Sequence, residues 1–218
     1  ARISGAKGLI CNEIFPDHAA AAGDVGFRIV IGSAGWGQSY DTLVDANMGR
    51  KPVEVAVDRD DPCWFFFTSG TTGKPKASVL THGQMGFVVT NHLCDLMPGL
   101  TRMDASLVVA PLSHGAGVHQ LTQVARGVKT VLMPSERFDV ATAWELIARW
   151  RVSTMFTVPT ILKMMIEDPS VDAFDHASLR YVIYAGAPMF REDQKRALAT
   201  LGPVLVQYYG LGEVTGAI

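Results

Sequence analysis

Cysteine is scarce in this chain of 218 residues, and the paired cysteines that build disulfide frameworks or metal sites are missing. The three cysteines, Cys11, Cys63 and Cys94, lie far apart. Disulfide-stapled domains carry an even and dense set of cysteines, and structural zinc sites carry closely spaced pairs. The pattern predicts reduced thiols and a cytoplasmic location.

Long apolar runs and an excess of charge of either sign are also missing. No apolar run is long enough to span a bilayer, and residues 1–5 lack the apolar core of a signal peptide. The net charge of −2 gives no electrostatic reason to expect nucleic acid or an anionic membrane as a partner. With 48% hydrophobic and 18% charged residues, the composition predicts a soluble globular protein.

Short apolar segments rich in β-branched and aromatic residues alternate with helical patterns along most of the chain. The strand candidates are Gly8 to Cys11, Phe27 to Ile31, Cys63 to Thr68, Leu107 to Pro111, Thr130 to Met133, Thr154 to Thr157, Tyr181 to Tyr184 and Val204 to Tyr208. The helix candidates are Gly83 to Leu96, Val118 to Arg126, Val140 to Trp150, Thr160 to Ile166 and Arg191 to Leu201. This alternation predicts an α/β fold with a largely parallel sheet flanked by helices on both faces, and ligand-binding loops at the carboxyl ends of the strands.

The stretch from Thr42 to Pro62 is a candidate boundary between two lobes. Val53 to Val57 has the alternation of a strand, and the polar residues from Asp58 to Pro62 are typical of a loop.

The run from Thr68 to Lys76 follows an aromatic strand candidate and combines hydroxyls, glycines and two lysines. Glycines allow backbone N–H groups to approach phosphate oxygens, and the lysines add positive charge. The spacing excludes a P-loop, because Gly70 precedes Gly73 by three positions and Pro75 follows Lys74. We therefore predict a phosphate-binding loop of another kind, suited to ATP.

Three further segments follow it, namely Pro111 to Gly117, Tyr184 to Pro188, and Gln207 to Glu213. Together with Thr68 to Lys76 they resemble, in order, the motifs of the adenylate-forming superfamily of acyl-CoA synthetases, peptide-synthetase adenylation domains and luciferases. The resemblance implies that residues 1–218 are part of the large N-terminal domain of such an enzyme, without its C-terminal domain. Since an initiator methionine is missing too, we expect an internal slice of a longer protein.

The resemblance implies roles for individual residues around ATP and Mg²⁺. Catalytic roles fall to Thr71, Lys74, His114 and Glu213, with Glu213 holding the metal. The phosphate loop comprises Thr68, Ser69, Gly70, Thr71, Thr72, Gly73, Lys74 and Lys76. The adenine site comprises Gly186, Ala187, Pro188, Tyr209 and Gly210.

His114 is implied to lie beside the carboxylate substrate and the α-phosphate. His114 and His119 are five residues apart, which places them on different faces of a helix, so we expect no protein-bound zinc. Tyr184, Tyr208, Met189 and the stretch Val118 to Leu121 could line an acyl pocket, but aromatic and methionine residues at strand ends are more often plain core, so we assign them no role.

The reaction implied is the ATP-dependent conversion of a fatty or aromatic carboxylic acid to acyl-AMP and then, with coenzyme A, to acyl-CoA. We expect this slice alone not to complete thioester synthesis. Two alternatives stay open, a non-catalytic nucleotide-binding module and an amino-acid-adenylating domain. The first is favoured by Gly212, which stands where relatives have threonine. A homodimer also stays open.

Overall fold

The computed structural model describes residues 4–68, 76–135 and 137–215. The chain divides into two compact units, Ala1–Val57 and Asp58–Ile218. No helix within the described residues has both the length and the apolarity needed to cross a bilayer.

The first unit is a small parallel sheet of three strands, in the order in which they occur along the chain. Its elements are β1 (Gly8–Asn12), α1 (Pro16–Ala21), β2 (Phe27–Ile31), β3 (Gln38–Ser39) and α2 (Tyr40–Asn47). Helix α2 begins where the Ser39 side chain accepts a hydrogen bond from the Thr42 amide, at 3.3 Å.

The predicted strand Val53 to Val57 is wrong. Residues 51–58 have no regular secondary structure, and Val53, Val55 and Val57 are 88%, 75% and 53% exposed. Alternating valines favour a strand only where a neighbouring strand supplies hydrogen-bond partners, and no described strand pairs with this segment.

The second unit contains a five-stranded sheet whose hydrogen-bonded neighbours are all parallel, in the order β10-β9-β8-β6-β7. These strands are β6 (Ala105–Val108), β7 (Lys129–Leu132), β8 (Thr154–Thr157), β9 (Tyr181–Tyr184) and β10 (Leu205–Gln207). Its helices are α3 (His82–Asn91), α4 (Gly115–Ala125), α5 (Val140–Trp150), α6 (Pro159–Glu167) and α7 (Arg191–Leu201). The expected α/β architecture is confirmed. Three predicted strands and two predicted helices have bounds that agree to the residue.

The two faces of this sheet differ in chemistry. One face carries a row of apolar residues across all five strands, Val131, Leu107, Met155, Val182 and Leu205. It packs in one apolar cluster with residues of α5, α6 and α7. The adjacent row, Thr130, Ser106, Thr154 and Tyr181, points to the opposite side. We name the two sides after these rows, the apolar face and the polar face; the polar face also carries Phe156, Ile183 and Val206, which pack in a second apolar cluster.

Helix α4 lies on the polar face, and three of its buried side chains are polar too. His119, Thr122 and Gln123 are all at most 1% exposed. The Gln120 amide donates to Ser106 at 3.0 Å, and the Thr130 hydroxyl donates to the Gln120 carbonyl at 3.0 Å. The polar row of strands and the polar side of α4 are therefore tied together by hydrogen bonds.

The helix expected from Gly83 to Leu96 is α3 followed by a π-helical turn, His92–Leu96. Helix α3 begins in a capping box, in which Thr81 and Gln84 each bond the other's backbone N–H. π-Helical turns are rare in proteins, and those that do occur are often found at functional sites. A second short element, the 3₁₀ turn Pro169–Ala173, follows α6.

An antiparallel hairpin completes the second unit. Strand β4 (Pro62–Thr68) pairs with β5 (Lys76–Thr81), and Thr68 lies opposite Lys76 at its open end. Strand β5 is an element that the sequence patterns missed. A strand after the loop, instead of a helix, agrees with the exclusion of a P-loop.

Candidate functional site

A cavity of about 390 Å³ opens at the carboxyl ends of β6, β8, β9 and β10. Ligands of open α/β sheets bind at this edge. Three of the four motif segments supply its wall. They contribute Pro111, His114, Gly115, Ala116, Ala185, Gly186, Tyr208, Tyr209, Gly210, Leu211 and Gly212. The segments that the sequence singled out separately therefore meet around one space.

Aromatic rings press against glycines in this wall. A β-carbon on Gly115 would lie 2.7 Å from Cζ of Phe156, and one on Gly117 would collide with the Leu112 carbonyl and approach the Trp64 ring to 2.9 Å. These distances are shorter than any ordinary carbon contact. The two glycines are thus needed for packing between α4 and its neighbours, a role distinct from approach to phosphate.

His114 lies at the N-terminus of α4 and is exposed. Its Nδ1–H donates to the Ser113 carbonyl at 3.0 Å, so Nε2 is the ring nitrogen that this bond does not engage. The Phe66 ring lies beside it, with 5.7 Å between ring centroids and 33° between the planes. Both residues line the cavity.

The turn after β9 contributes unevenly to the cavity. Ala185 and Gly186 line it, and Gly186 has a φ of +85°, a conformation that favours glycine. Ala187 and Pro188 are exposed and are not among the lining residues. Of the three residues of this turn that are implied for adenine, the structure brings only Gly186 to the wall.

The segment after β10 supplies Tyr209, Gly210 and Thr215 to the wall. Tyr209 is 71% exposed, so one face of its ring is open to a ligand. Glu213 is exposed, and its carboxylate has no hydrogen bond or ion pair with any described residue. A single free carboxylate fits Mg²⁺ shared with phosphate oxygens, because Mg²⁺ is usually bound by one or two carboxylates together with a substrate. No group of three or more metal-ligating side chains occurs among the described residues.

Buried polar groups stand behind the cavity. His92 lines it yet has no exposed surface, and its Nδ1–H donates to the Val88 carbonyl at 2.8 Å. Its Nε2 has no partner among the described residues, and the same holds for the Tyr208 hydroxyl. Burial lowers the pKa of His92 and raises the pKa of Tyr208, so both side chains are neutral.

His119 sits deeper, under the sheet. Its Nε2 accepts from Gln123 at 3.2 Å and from the Thr154 hydroxyl at 3.3 Å. Burial, and to a smaller degree the nearby His92, lowers the pKa of His119 to about 3. This histidine is a neutral structural residue and is not among the residues that line the cavity.

Residues 69–75 of the predicted phosphate loop lie outside the described residues, and this includes Thr71, Thr72 and Lys74. The flanking Thr68 and Lys76 are described, and Lys76 is exposed at the open end of the hairpin.

The sequence patterns assigned no role to Phe66, His92, Phe156 or Tyr208, all of which line the cavity. For Phe66 a signal existed, because Trp64 and Phe66 alternate on one face of β4. Tyr184 and Met189, the other aromatic and methionine candidates, belong to the apolar face instead.

Comparison with known proteins shows the family. The model of the AMP-binding enzyme family matches residues 2–218. The chain is 35% identical to 4-coumarate–CoA ligase 2 of Oryza sativa subsp. japonica over 179 residues, covering 80% of this chain and 31% of that protein. It is 33% identical to a feruloyl-CoA synthase of Amycolatopsis over 170 residues, covering 77% and 34%. The chain thus spans about a third of the length of these curated relatives.

Solved structures agree with this assignment. The amide bond synthetase McbA of Marinactinospora thermotolerans superposes with a TM-score of 0.82 at 27% identity, over 97% of this chain and 41% of that one. The N-terminal domain of FACL13 of Mycobacterium tuberculosis superposes with a TM-score of 0.78 at 29% identity, over 98% and 52%. With a family match along nearly its whole length, a cavity walled by three motif segments and these structural neighbours, the chain belongs to the AMP-binding enzyme family.

Proposed function

We propose that the whole protein carrying this chain uses ATP and Mg²⁺ to activate a carboxylic acid as acyl-AMP and then transfers the acyl group to coenzyme A. One observation carries the proposal. The cavity at the carboxyl edge of the sheet is walled by His114, Gly186, Tyr209 and Gly212, which come from three separate motif segments. The names of the curated relatives, which are CoA ligases and synthases, support the same chemistry.

In the first step an oxygen of the carboxylate forms a bond to the α-phosphorus, and the bond from that phosphorus to the bridging oxygen breaks to release pyrophosphate. In the second step the sulfur of coenzyme A attacks the acyl carbonyl, and AMP leaves. No covalent intermediate with the protein is needed. The protein has to hold two anions together and stabilise the charge that collects on pyrophosphate.

The chain's own residues divide this work. The His114 ring lies at the cavity wall, where it can pack beside the acid or its adenylate. Tyr209 offers an exposed ring face for adenine. Glu213 has a free carboxylate for Mg²⁺, whose positive charge would stabilise the phosphates. Lys74, Lys76 and the hydroxyls of the phosphate loop are proposed to contact the β- and γ-phosphates.

We favour an aromatic acid as the substrate. The rings of Phe66 and Phe156 form part of the cavity wall, and flat rings pack well against a flat ligand. The relatives named for 4-coumarate, ferulate and indoleacetate all take their names from aromatic acids. A relative named for fatty acids and an acyl carrier protein keeps the aliphatic class as the comparison to test.

The test is exchange of labelled pyrophosphate into ATP by the whole protein, with aromatic acids, fatty acids and amino acids supplied separately. We expect exchange with aromatic acids. The variant Glu213→Gln should lower the exchange rate by about a hundredfold, because it removes the carboxylate that would hold the charge-stabilising Mg²⁺ at the phosphates. Glu145→Gln is the matched control, since Glu145 is an exposed glutamate on α5.

Each alternative predicts a different result. Exchange with amino acids alone would indicate an amino-acid-adenylating domain. Tight ATP binding without exchange for any acid would indicate a nucleotide-binding module. The acceptor is tested separately, by measuring whether coenzyme A converts the adenylate to thioester. Pyrophosphate exchange without thioester formation would support the adenylation step and overturn the proposed transfer to coenzyme A.

A further inference from the structure

Phe66 stands where three cavity segments meet. Its backbone lies in β4 opposite Ser78 of β5, and its side chain is half-buried. The ring packs in an apolar cluster with Leu80 and Val88, and the Trp64 ring lies 6.2 Å away between centroids. Since a strand and a cluster hold it from behind, the ring has a fixed position at the cavity.

Two cavity residues lie in contact range of this ring. His114 lies 5.7 Å away between ring centroids. The backbone of Gly212 is so close that a β-carbon there would lie 2.5 Å from Cε1 and 2.6 Å from Cδ1 of Phe66. A side chain of any kind at position 212 would therefore displace the ring, and the ring in turn has His114 beside it.

This contact gives Gly212 a physical explanation. The resemblance to the adenylate-forming superfamily places threonine at this position, and its absence favoured a degenerate module. Gly212 is instead the residue that fits beside Phe66, so the two identities are linked. In this chain the Phe66 ring occupies the space that a side chain at position 212 would need.

We propose that Phe66 is a positioning residue that fixes the His114 imidazole at the cavity wall, and that Gly212 is required because its missing side chain leaves room for that ring. The inference rests on the proposed acid activation for its kinetic consequence. Its structural part, the orientation of His114 by Phe66, is independent of the reaction.

The experiment compares Phe66→Leu, Gly212→Ala and the double variant in the whole protein by acid-dependent pyrophosphate exchange. We expect each single variant to lose about tenfold or more in rate, since small misplacements of reacting groups are costly. The double variant should lose no more than Phe66→Leu alone, because leucine vacates the part of the ring volume that the added methyl group needs. Phe66→Leu should have no further effect once His114 is alanine, because the ring acts through His114.

The controls are taken from α3. Phe87→Leu removes a ring that is 70% exposed, and Gly86→Ala adds a methyl group where no atom lies within 4 Å. Both should retain the parent rate. Equal rates for Gly212→Ala and Gly86→Ala, or additive losses for Phe66→Leu and His114→Ala, would overturn the inference.

A second measurement is independent of activity. The Cε1 proton resonance of His114, assigned by its loss in His114→Ala, should shift in Phe66→Leu, because the field of the adjacent ring is removed. It should stay in place in Phe87→Leu. An unmoved resonance in folded Phe66→Leu overturns the positioning role. Absence of exchange with every acid would overturn the proposed function, while a shifted resonance would still support the contact.

Discussion

Two neighbouring rows of residues cross the same sheet and face opposite sides. The row that contains Leu107, Met155 and Val182 is apolar and has no exposed surface at these positions. The adjacent row contains Ser106 and Thr154, also without exposed surface, and both contact His119. Adjacent residues along each strand therefore belong to an apolar core on one side of the sheet and to a hydrogen-bonded network on the other.

The difference shows that the two rows contribute to the fold in different ways. Apolar burial is non-directional and supplies most of the free energy of folding. Buried hydrogen bonds add little net free energy, but they fix geometry because an unmade bond is costly. The cavity lies with α4, which bonds to the polar row through Gln120 and also packs through Ala116 and Val118 in two apolar clusters. Precise placement is thus on the side of the sheet that carries the site.

The largest expected effect tests the apolar face. Trp144 has no exposed surface, and its indole N–H donates to the Met165 carbonyl at 3.0 Å. Trp144→Ala should lower the free energy of unfolding by about 4 kcal/mol, since it leaves a cavity and an unpaired carbonyl. Urea unfolding followed by far-ultraviolet circular dichroism measures the change.

Trp150 provides the control for that prediction. It is 41% exposed at the end of α5, and its ring mainly contacts the Lys129 ammonium, 4.7 Å from the centroid. Trp150→Ala should lower the free energy of unfolding by about 1 kcal/mol or less. Equal losses for the two tryptophans would contradict the assignment of the apolar core to the apolar face.

The next effect tests the polar face through pH. The pKa of His119 is about 3 in the fold, against about 6.5 for an ordinary histidine. Between these values the unfolded chain binds a proton that the folded chain does not, so stability falls as pH falls from 6.5 toward 3. From pH 7 to pH 5 the loss should be about 2 kcal/mol.

His119→Gln should reduce this pH dependence, whatever its effect on stability at pH 7. Some dependence of stability on pH should remain, because burial also lowers the pKa of His92. His18→Gln, at an exposed position, should leave the slope as it is in the parent. An unchanged slope in His119→Gln would mean that His119 is not buried neutral.

The smallest effect compares two tyrosines at the cavity edge of the sheet. The Tyr184 hydroxyl donates to Gln207 and accepts from Gln194, each at 3.1 Å, whereas the Tyr208 hydroxyl has no described partner. Tyr184→Phe should cost about 1 kcal/mol. Tyr208→Phe should be neutral or stabilising by up to about 1 kcal/mol, because it removes an unsatisfied buried group. Thermal unfolding of both variants measures this, and a clear loss in Tyr208→Phe would indicate a partner for its hydroxyl.

Much of the fold followed from local pattern. Strands such as Thr154 to Thr157 and the helix Val140 to Trp150 matched the structure because burial on one or both faces imposes a period on the sequence. Strand β5 was missed, since its residues have weak alternation and depend on pairing with β4. Val53 to Val57 was wrong for the converse reason, because its alternation has no partner strand.

The segments that wall the cavity could be found because each motif is contiguous in sequence, as for His114 and Gly186, whose roles stay predictions. Phe66 could not be assigned in the same way, since its role depends on contact with Gly212, which is far away along the chain. The space between them is a property of the folded molecule. The local sequence pattern predicts which side chains are buried, but it does not predict which distant glycine an aromatic ring will contact.

The distance along the chain between Phe66 and Gly212 has a kinetic consequence. A wall built from β4 at one end and from the segment after β10 at the other cannot close until the whole parallel sheet has formed. Such long-range contacts form slowly, because the chain loses the entropy of loop closure before the contacts can stabilise it. The cavity should therefore be among the last features to mature during refolding. Fluorescence of a dye that binds the cavity would follow that final event.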